Sequence, residues 1–266
     1  MDSKLDYIDI NKALWDEKTK HHVASAFYKT DEFINGRSTL NDIELSLLGD
    51  VKGKTILHLQ CHFGQDSLSL ARMGAKVTGV DFSGEAIKKA REQNDQLGLD
   101  ATFICTDIYT LPDVLDQQFD MVFTSYGTIG WLPDMQRWAG VVSRFLRPGG
   151  AFVFAEFHPV IWMFSNDFST IEYPYFNREP IIETLTGTYA DRDADIKQQE
   201  IGWNHDLAEV LQSLLAAGLS LTTFREFDYS PYNCFSNTVE VSSGKFQIKG
   251  LEAKIPVVYA LRAVKA

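Results

Sequence analysis

The sequence has little of what ties a chain to a membrane, a disulfide framework or a polyanion. No apolar stretch approaches the roughly twenty residues needed to span a bilayer. The opening MDSKLDYIDINK lacks a basic start followed by an apolar run, so no export signal is expected. Cysteines are scarce: Cys61, Cys105 and Cys234 make an odd number at wide spacing, which suits a reducing compartment. Basic residues are also short, 25 Lys and Arg against 36 Asp and Glu, for a net charge of −11. They cluster no further than pairs such as Lys88-Lys89. Because nucleic-acid affinity rests on basic contacts, no nucleic-acid partner is expected. Repeats, low-complexity tracts and linker-like composition shifts are missing too. What remains is a chain of 266 residues, 45% hydrophobic, expected to be cytoplasmic and long enough for one core with insertions or two small domains.

What is there is an alternation of strand and helix. Residues 39–49 read as a helix, with Thr39 and Asp42 as a capping box, Leu40, Ile43 and Leu47 on one face and Gly49 to close it. Strands are expected at 55–60, 75–80, 101–105, 119–125 and 150–157. Between them fall helices from Gly64 to Gly74, at 83–98 with Ser83 as cap and Ala86, Ile87, Ala90 and Leu97 buried, near 111–116, and at 133–146. The rhythm stops after Phe157 and resumes with a helix at 204–218, a strand at 219–227, a loop-rich stretch and a last strand at 255–264. Such alternation implies a doubly wound, mostly parallel α/β sheet of the Rossmann-like kind. Ligands of such sheets bind at the carboxyl ends of the strands. The residues that matter most therefore follow each strand: His58 to Gly64, Asp81, Thr106-Asp107, Ser125-Tyr126-Gly127 and His158.

The turn after the first strand is poor in glycine. In LQCHFGQD only Gly64 is a glycine, and Gln60, Cys61, His62 and Phe63 fill the rest. A dinucleotide fold needs G-x-G-x-x-G so that a pyrophosphate can approach the helix N-terminus. Here a doubly charged pyrophosphate would meet bulky side chains. An amino-acid tail needs only a few backbone groups and partners for an ammonium and a carboxylate, which favours a methionine-type cofactor over NAD. Asp81, seventeen residues past Gly64, ends the second strand, where a carboxylate can accept from both hydroxyls of a ribose. Its alternative is a helix-start acid favoured by the helix dipole. Asp107 can accept from an adenine amine while Ile108 lies against the ring, or it can simply cap a turn.

The order ILHLQCHFGQDSLSLA, VTGVD, ICTDIYTLP, FDMVFTSYGTIG and LRPGGAFVF resembles the seven-stranded (class I) S-adenosylmethionine-dependent methyltransferases over roughly residues 40–160. The family's first motif, [DE]-x-G-x-G-x-G, falls on His58, Gln60, His62 and Gly64, and three of the four positions depart from it. The resemblance implies S-adenosylmethionine as cofactor. It assigns the ribose to Asp81, with Phe82 beside it, and the adenine to Asp107 and Ile108. Ser125 and Tyr126 would lie near the sulfonium, and Pro148-Gly149-Gly150 would form the turn before the next strand. It also implies an antiparallel last strand and an N-terminal lid (1–37) whose Trp15 and Tyr28 touch the cofactor. A neutral His58 can accept from the cofactor ammonium, and Gln60 can both donate and accept.

The implied organisation is a single domain, 1–266, with the lid, a cofactor core at 38–157, an inserted acceptor cap at 158–203 and the rest of the sheet at 204–266. The cap opens with FHPVIWMFSNDFSTIEYPYF, in which seven of twenty residues are aromatic against 12% in the whole chain. Aromatic faces shape apolar pockets and attract a sulfonium. They serve equally as a layer over the sheet or as the face of a homodimer. His158 is the candidate base, with a structural role before Pro159 as its alternative; Tyr126 is the candidate for orienting the acceptor or the donor, and His205 is expected to help start its helix. His58, Cys61, His62 and Asp66 match no standard zinc spacing, so no metal is expected. The expected activity is methyl transfer to a small-molecule acceptor. A non-catalytic S-adenosylmethionine or nucleoside sensor is the second reading, and a nicotinamide oxidoreductase is disfavoured by the missing glycines.

Overall fold

The computed structural model describes residues 7–266; residues 1–6, which belong to the expected lid and to the stretch read for an export signal, lie outside the described residues. Three helices come first: α1 (Tyr7–Ala24), α2 (Thr30–Ile34) and α3 (Asp42–Leu48). The alternation follows as β1 (Thr55–Leu59), α4 (Gln65–Arg72), β2 (Lys76–Asp81), α5 (Gly84–Leu97), β3 (Thr102–Cys105), α6 (Leu111–Val114), β4 (Phe119–Ser125), α7 (Met135–Phe145) and β5 (Leu146–Phe157). Next come β6 (Ile181–Thr186), β7 (Lys197–Gly202), α8 (Leu207–Ala216), β8 (Leu219–Phe227), β9 (Thr238–Ser242), β10 (Lys245–Ile248) and β11 (Val258–Lys265). The main sheet has seven strands in the order β3-β2-β1-β4-β5-β11-β8. Its first strands pair parallel, β1 with β2, β2 with β3 and β4 with β5, while β11 runs antiparallel to both β5 and β8. This is the Rossmann-like arrangement that the alternation predicts. Among the described residues no helix is long and apolar enough to cross a membrane.

By contacts, the expected single domain divides into two compact units. The first takes in the described residues to Leu40, Val51–Gln117 and Pro180–Gly202. The second takes in Asn41–Asp50, Gln118–Glu179 and Trp203–Ala266. The stretch expected as one inserted cap is thus shared. Residues 180–202, the antiparallel hairpin β6–β7, belong to the first unit, and 158–179 to the second.

In the first unit, Phe33, Cys61, Leu68, Ile87, Ala90 and Phe103 form a buried cluster. Two glycines are fixed by it. A Cβ on Gly64 would lie 2.8 Å from the Phe103 ring and 2.9 Å from the Ala90 Cβ; one on Gly79 would lie 2.7 Å from Phe103 and 2.9 Å from the Cys61 Sγ. Ser83 caps α5 as expected, its hydroxyl accepting the Ala86 N–H at 3.1 Å. Leu97, expected on the buried side of that helix, is only partly buried, and Gln93 takes the inner position, donating to the Phe63 carbonyl at 3.1 Å.

In the second unit, Trp138 of α7 packs against Phe152 and Phe154 of β5, and Phe154 against Tyr259 of β11. The cap of α3 corrects the sequence reading. The box is Asn41 with Glu44, whose carboxylate accepts the Asn41 backbone N–H at 2.6 Å, rather than Thr39 with Asp42. Thr39 instead bonds Asp66 and Ser69. β5 begins four residues earlier than predicted, because Leu146 pairs with Phe119 before the Pro148-Gly149-Gly150 turn and Ala151 resumes opposite Met121. The loop-rich stretch holds a second hairpin, β9–β10.

Candidate functional site

The turn after β1 keeps a glycine-like backbone without the glycines. Gln60 (φ 53°), His62 (φ 51°) and Gly64 (φ 82°) all sit in the left-handed region. For an L-residue this conformation costs about 1–2 kcal/mol, so the two side chains are held there by their surroundings. The turn is closed by Cys61 N–H to the Val80 carbonyl at 2.9 Å and Gly64 N–H to the Cys61 carbonyl at 2.9 Å.

Asp81 at the end of β2 holds this turn from the other side. Its Oδ2 accepts the His62 backbone N–H and its Oδ1 accepts the Ser83 N–H, both at 2.9 Å. Burial pushes this carboxyl up to about 6 against the lowering effect of those bonds. With the Phe82 backbone N–H bonding it as well, the carboxylate still keeps acceptor capacity. Phe82 follows, partly buried, its carbonyl accepting from the Cys105 thiol.

Three ties bring α1 to the same place within the first unit. Asp16 accepts from the Ser83 hydroxyl at 2.7 Å and from the Glu85 N–H at 3.2 Å, at the start of α5. The Asn11 amide both donates to and accepts from the backbone of Ile201 in β7, at 2.7 and 3.0 Å. Lys18 pairs with Glu200 at 3.1 Å and lies over the Trp15 ring. Because Asn11 completes a backbone-like pairing with the hairpin, α1 and the hairpin are one packed piece.

Between them the rings of Trp15, His22, Tyr28, His62 and Tyr189 meet. His62 lies 5.2 Å from Trp15, 5.3 Å from His22 and 5.5 Å from Tyr28, centroid to centroid. His22 stacks on Tyr28 at 5.4 Å and lies 4.7 Å from Tyr189. The Tyr28 hydroxyl bonds the His62 Nδ1 at 3.3 Å and also the Tyr189 hydroxyl. Burial depresses both imidazoles, His22 to about 2 and His62 to about 3, with Lys18 adding to the effect, so both are neutral at pH 7. Neither ring nitrogen of His22, nor the His62 Nε2, has a hydrogen-bond partner among the described residues, although all three are buried.

Of the other expected cofactor residues in this unit, His58 is buried and neutral, its carboxylate-like position used in a 2.8 Å bond between Nδ1 and the Ser67 hydroxyl. Asp107 accepts the Tyr109 N–H at 2.8 Å, the turn-capping role weighed for it, and Ile108 beside it is buried. In the second unit, Ser125 ends β4, and Tyr126 follows at φ 38° with its hydroxyl donating to Glu44 at 2.7 Å. Glu44, wholly buried, also accepts from Asn41, which donates to Tyr232. Glu156 fixes the loop after Tyr126, accepting backbone N–H groups from Gly127, Thr128 and Ile129 and the Thr128 hydroxyl. His158 is held at both nitrogens, Nε2 against Glu226 at 3.0 Å and Nδ1 accepting the Val160 N–H at 3.2 Å. Burial lowers its pKa while Glu226 opposes that. His205 bonds Glu209 and the Leu132 carbonyl near the start of α8.

Sequence reasoning missed Asp16, His22, Tyr189, Glu44 and Glu156 and treated the His62 side chain only as turn lining. Two of these had a signal: Glu44 lies three residues after Asn41, and Glu156 is the one acid in an otherwise apolar strand. His22 and Tyr189 had none. They meet across 167 residues of chain through packing alone. Among the described residues no group of three or more His, Cys, Asp and Glu is placed to hold a metal.

Residues 56–150 match the family model of a methyltransferase domain. The chain is 28% identical over 182 residues to a phosphoethanolamine N-methyltransferase of Triticum aestivum, covering 64% of this chain and 34% of that one. It is 35% identical over 105 residues to a ubiquinone biosynthesis O-methyltransferase of Coxiella burnetii, covering 40% of this chain and 44% of the other. The chain thus spans well under two thirds of either relative. In fold it is similar to an S-adenosylmethionine-dependent methyltransferase of Mesorhizobium loti, with a TM-score of 0.56 at 19% identity, covering 87% of this chain and all of that one.

Proposed function

We propose that this chain, whose residues 56–150 match the family model of a methyltransferase domain, binds S-adenosylmethionine and transfers the methyl group to a small molecule. The observation that carries the reading is the turn after β1. It keeps three left-handed residues at the glycine positions of the family motif, with the Asp81 carboxylate bonded to its middle N–H.

The residues suit the cofactor. A buried carboxylate whose pKa is raised gains from two hydroxyl donors, and a ribose supplies them. Backbone at φ 53° and 51° turns its peptide groups toward a ligand while the Gln60 and His62 side chains offer neutral donors and acceptors. Neutral imidazoles add no positive charge beside a sulfonium. Trp15, Tyr28 and Tyr189 supply ring faces, which attract a cation by about 0.5–2 kcal/mol each. When bound, the cofactor supplies an electrophilic methyl group on a good leaving group. The protein then has to hold an acceptor in line, which contributes roughly 7–11 kcal/mol.

The small-molecule acceptor class is supported by the relatives, named for phosphoethanolamine and for ubiquinone biosynthesis. Calorimetry with S-adenosylmethionine and S-adenosylhomocysteine, followed by a methyl-transfer assay on a metabolite panel that includes phosphoethanolamine and a catechol, tests the reading. Micromolar binding with turnover is expected. Binding without turnover on any acceptor would favour the sensor, and no binding at millimolar concentration would overturn both.

A further inference from the structure

We propose that His62 accepts the proton of the methyl acceptor at Nε2 and that Tyr28 and Tyr189 carry a proton from its Nδ1 to solvent. The route rests on the reading above, which puts the ribose on Asp81 and so the methionine part of the cofactor, which carries the sulfonium, along the Gln60–Gly64 turn. The His62 backbone N–H is bonded to that same carboxylate at 2.9 Å, and its ring stands on the same turn.

The geometry gives the ring two different ends. Nδ1 meets the Tyr28 hydroxyl at 3.3 Å, and that hydroxyl meets the Tyr189 hydroxyl. Nε2 is buried and has no partner among the described residues. Burying a polar atom of this kind is unfavourable unless something bonds it. A neutral imidazole carries one hydrogen, and Tyr28 and Tyr189 can pass one along only if the hydrogen starts on Nδ1. Nε2 is then a bare lone pair, and the two partly exposed tyrosines lead outward. A bond of 3.3 Å is long, as such bonds commonly are before substrate closes the site.

The step balances. The lone pair of the acceptor atom forms a bond to the methyl carbon, and the carbon–sulfur bond breaks with its electron pair going to sulfur. The acceptor's hydrogen moves to His62 Nε2 as a proton. The Nδ1 hydrogen moves to the Tyr28 oxygen, the Tyr28 hydrogen to the Tyr189 oxygen, and the Tyr189 hydrogen to water. The ring ends neutral with its hydrogen on the other nitrogen. No imidazolium has to persist among Trp15, His22 and Lys18, where burial opposes one. Once product leaves, the Nε2 hydrogen passes to water at the vacated acceptor position while Nδ1 regains one through the same tyrosines, which restores the starting tautomer with one proton released per turnover.

Nitrogen NMR of the full chain, with ring-labelled histidine and with S-adenosylhomocysteine bound, reads the tautomer directly. The expected result is His62 with its hydrogen on Nδ1, shifting toward Nε2 in Tyr28→Phe and keeping to Nδ1 in Tyr189→Phe. A wild-type His62 with its hydrogen on Nε2, or a tautomer indifferent to Tyr28→Phe, overturns the route. Two substitutions guard against one failing to fold. Calorimetry with S-adenosylhomocysteine separates the two readings: without binding the cofactor reading fails, and with binding but the wrong tautomer only the route fails. On an acceptor that is turned over, His62→Gln should lower kcat at saturating cofactor about 10²–10⁴-fold. An unchanged kcat would refute the route.

Discussion

The Asp81 carboxylate accepts the backbone N–H of His62 at 2.9 Å, joining the end of the second strand to the turn after the first. The other carboxylate oxygen holds the Ser83 N–H at the start of α5, and Ser83 in turn donates to Asp16 of α1. One buried acid therefore organises the turn and the start of the next helix, and through Ser83 is linked to α1. Its remaining acceptor capacity is what a vicinal diol would use.

Replacing Asp81 by Ala should weaken S-adenosylhomocysteine binding by one to two orders of magnitude, since charge-assisted bonds contribute about 1.5–3 kcal/mol each. His58→Ala should weaken it less, because His58 is neutral and one of its nitrogens is bonded to Ser67. Calorimetry on both variants checks the order. Equal affinity in wild type and Asp81→Ala would remove the ribose assignment.

The pH dependence has a definite sign. Ribose hydroxyls donate to the ionised carboxylate, and the Asp81 carboxyl takes up a proton near pH 6. Affinity should therefore be flat above about pH 7 and fall by up to tenfold per unit below 6. The effect on folding runs the other way. Raised above its unfolded value of 3.8, this group favours the folded state at low pH, and its contribution is lost as pH rises through about 6. Titrations of binding and of denaturation midpoint, compared between wild type and Asp81→Asn, read the two separately; a pH-independent affinity would contradict the assignment.

Gly64→Ala should destabilise the protein by about 2–4 kcal/mol, combining overpacking with a left-handed φ. The new Cβ would fall 2.8 Å from Phe103 and 2.9 Å from Ala90, both in the buried cluster. Denaturant unfolding measures it. A change below about 0.5 kcal/mol would mean that the turn relaxes freely.

His158→Gln should lower stability by about 1–3 kcal/mol, as expected for a buried group that loses two partners. Turnover should stay within about threefold of wild type if His158 serves the structure through Glu226 and Val160, against a loss of about 10²-fold or more for a general base. Thermal unfolding and kcat on one preparation distinguish these outcomes.

The order of strands and helices up to Phe157 was readable because each element carries its own period and its own ends. Ser83 is a cap that its hydroxyl fulfils, and Gly74 follows a helix whose apolar face has run out. The two hairpins were not readable. In β6 the alternation of half-buried and exposed residues is carried by IIETLT, too mixed in type to mark a strand in isolation. Asp81 was legible from its place after a strand. The cage of His22, Tyr28, His62 and Tyr189 was not, since its members come from three separate stretches of chain.

By itself the sequence determined the alternating sheet, the acid at the end of β2 and the unusual residues at the glycine positions. These follow from local chemistry: hydrophobic period, capping and the position of a charge relative to a strand. Only the tertiary structure decided that Gln60 and His62 adopt the glycine conformation, because backbone strain is tolerated only where long-range contacts hold it. It likewise decided that two imidazoles are neutral and that His62 keeps a nitrogen without a partner among the described residues, with a tyrosine pair at its other nitrogen. Protonation and partnership depend on burial, and burial is a property of the packed chain.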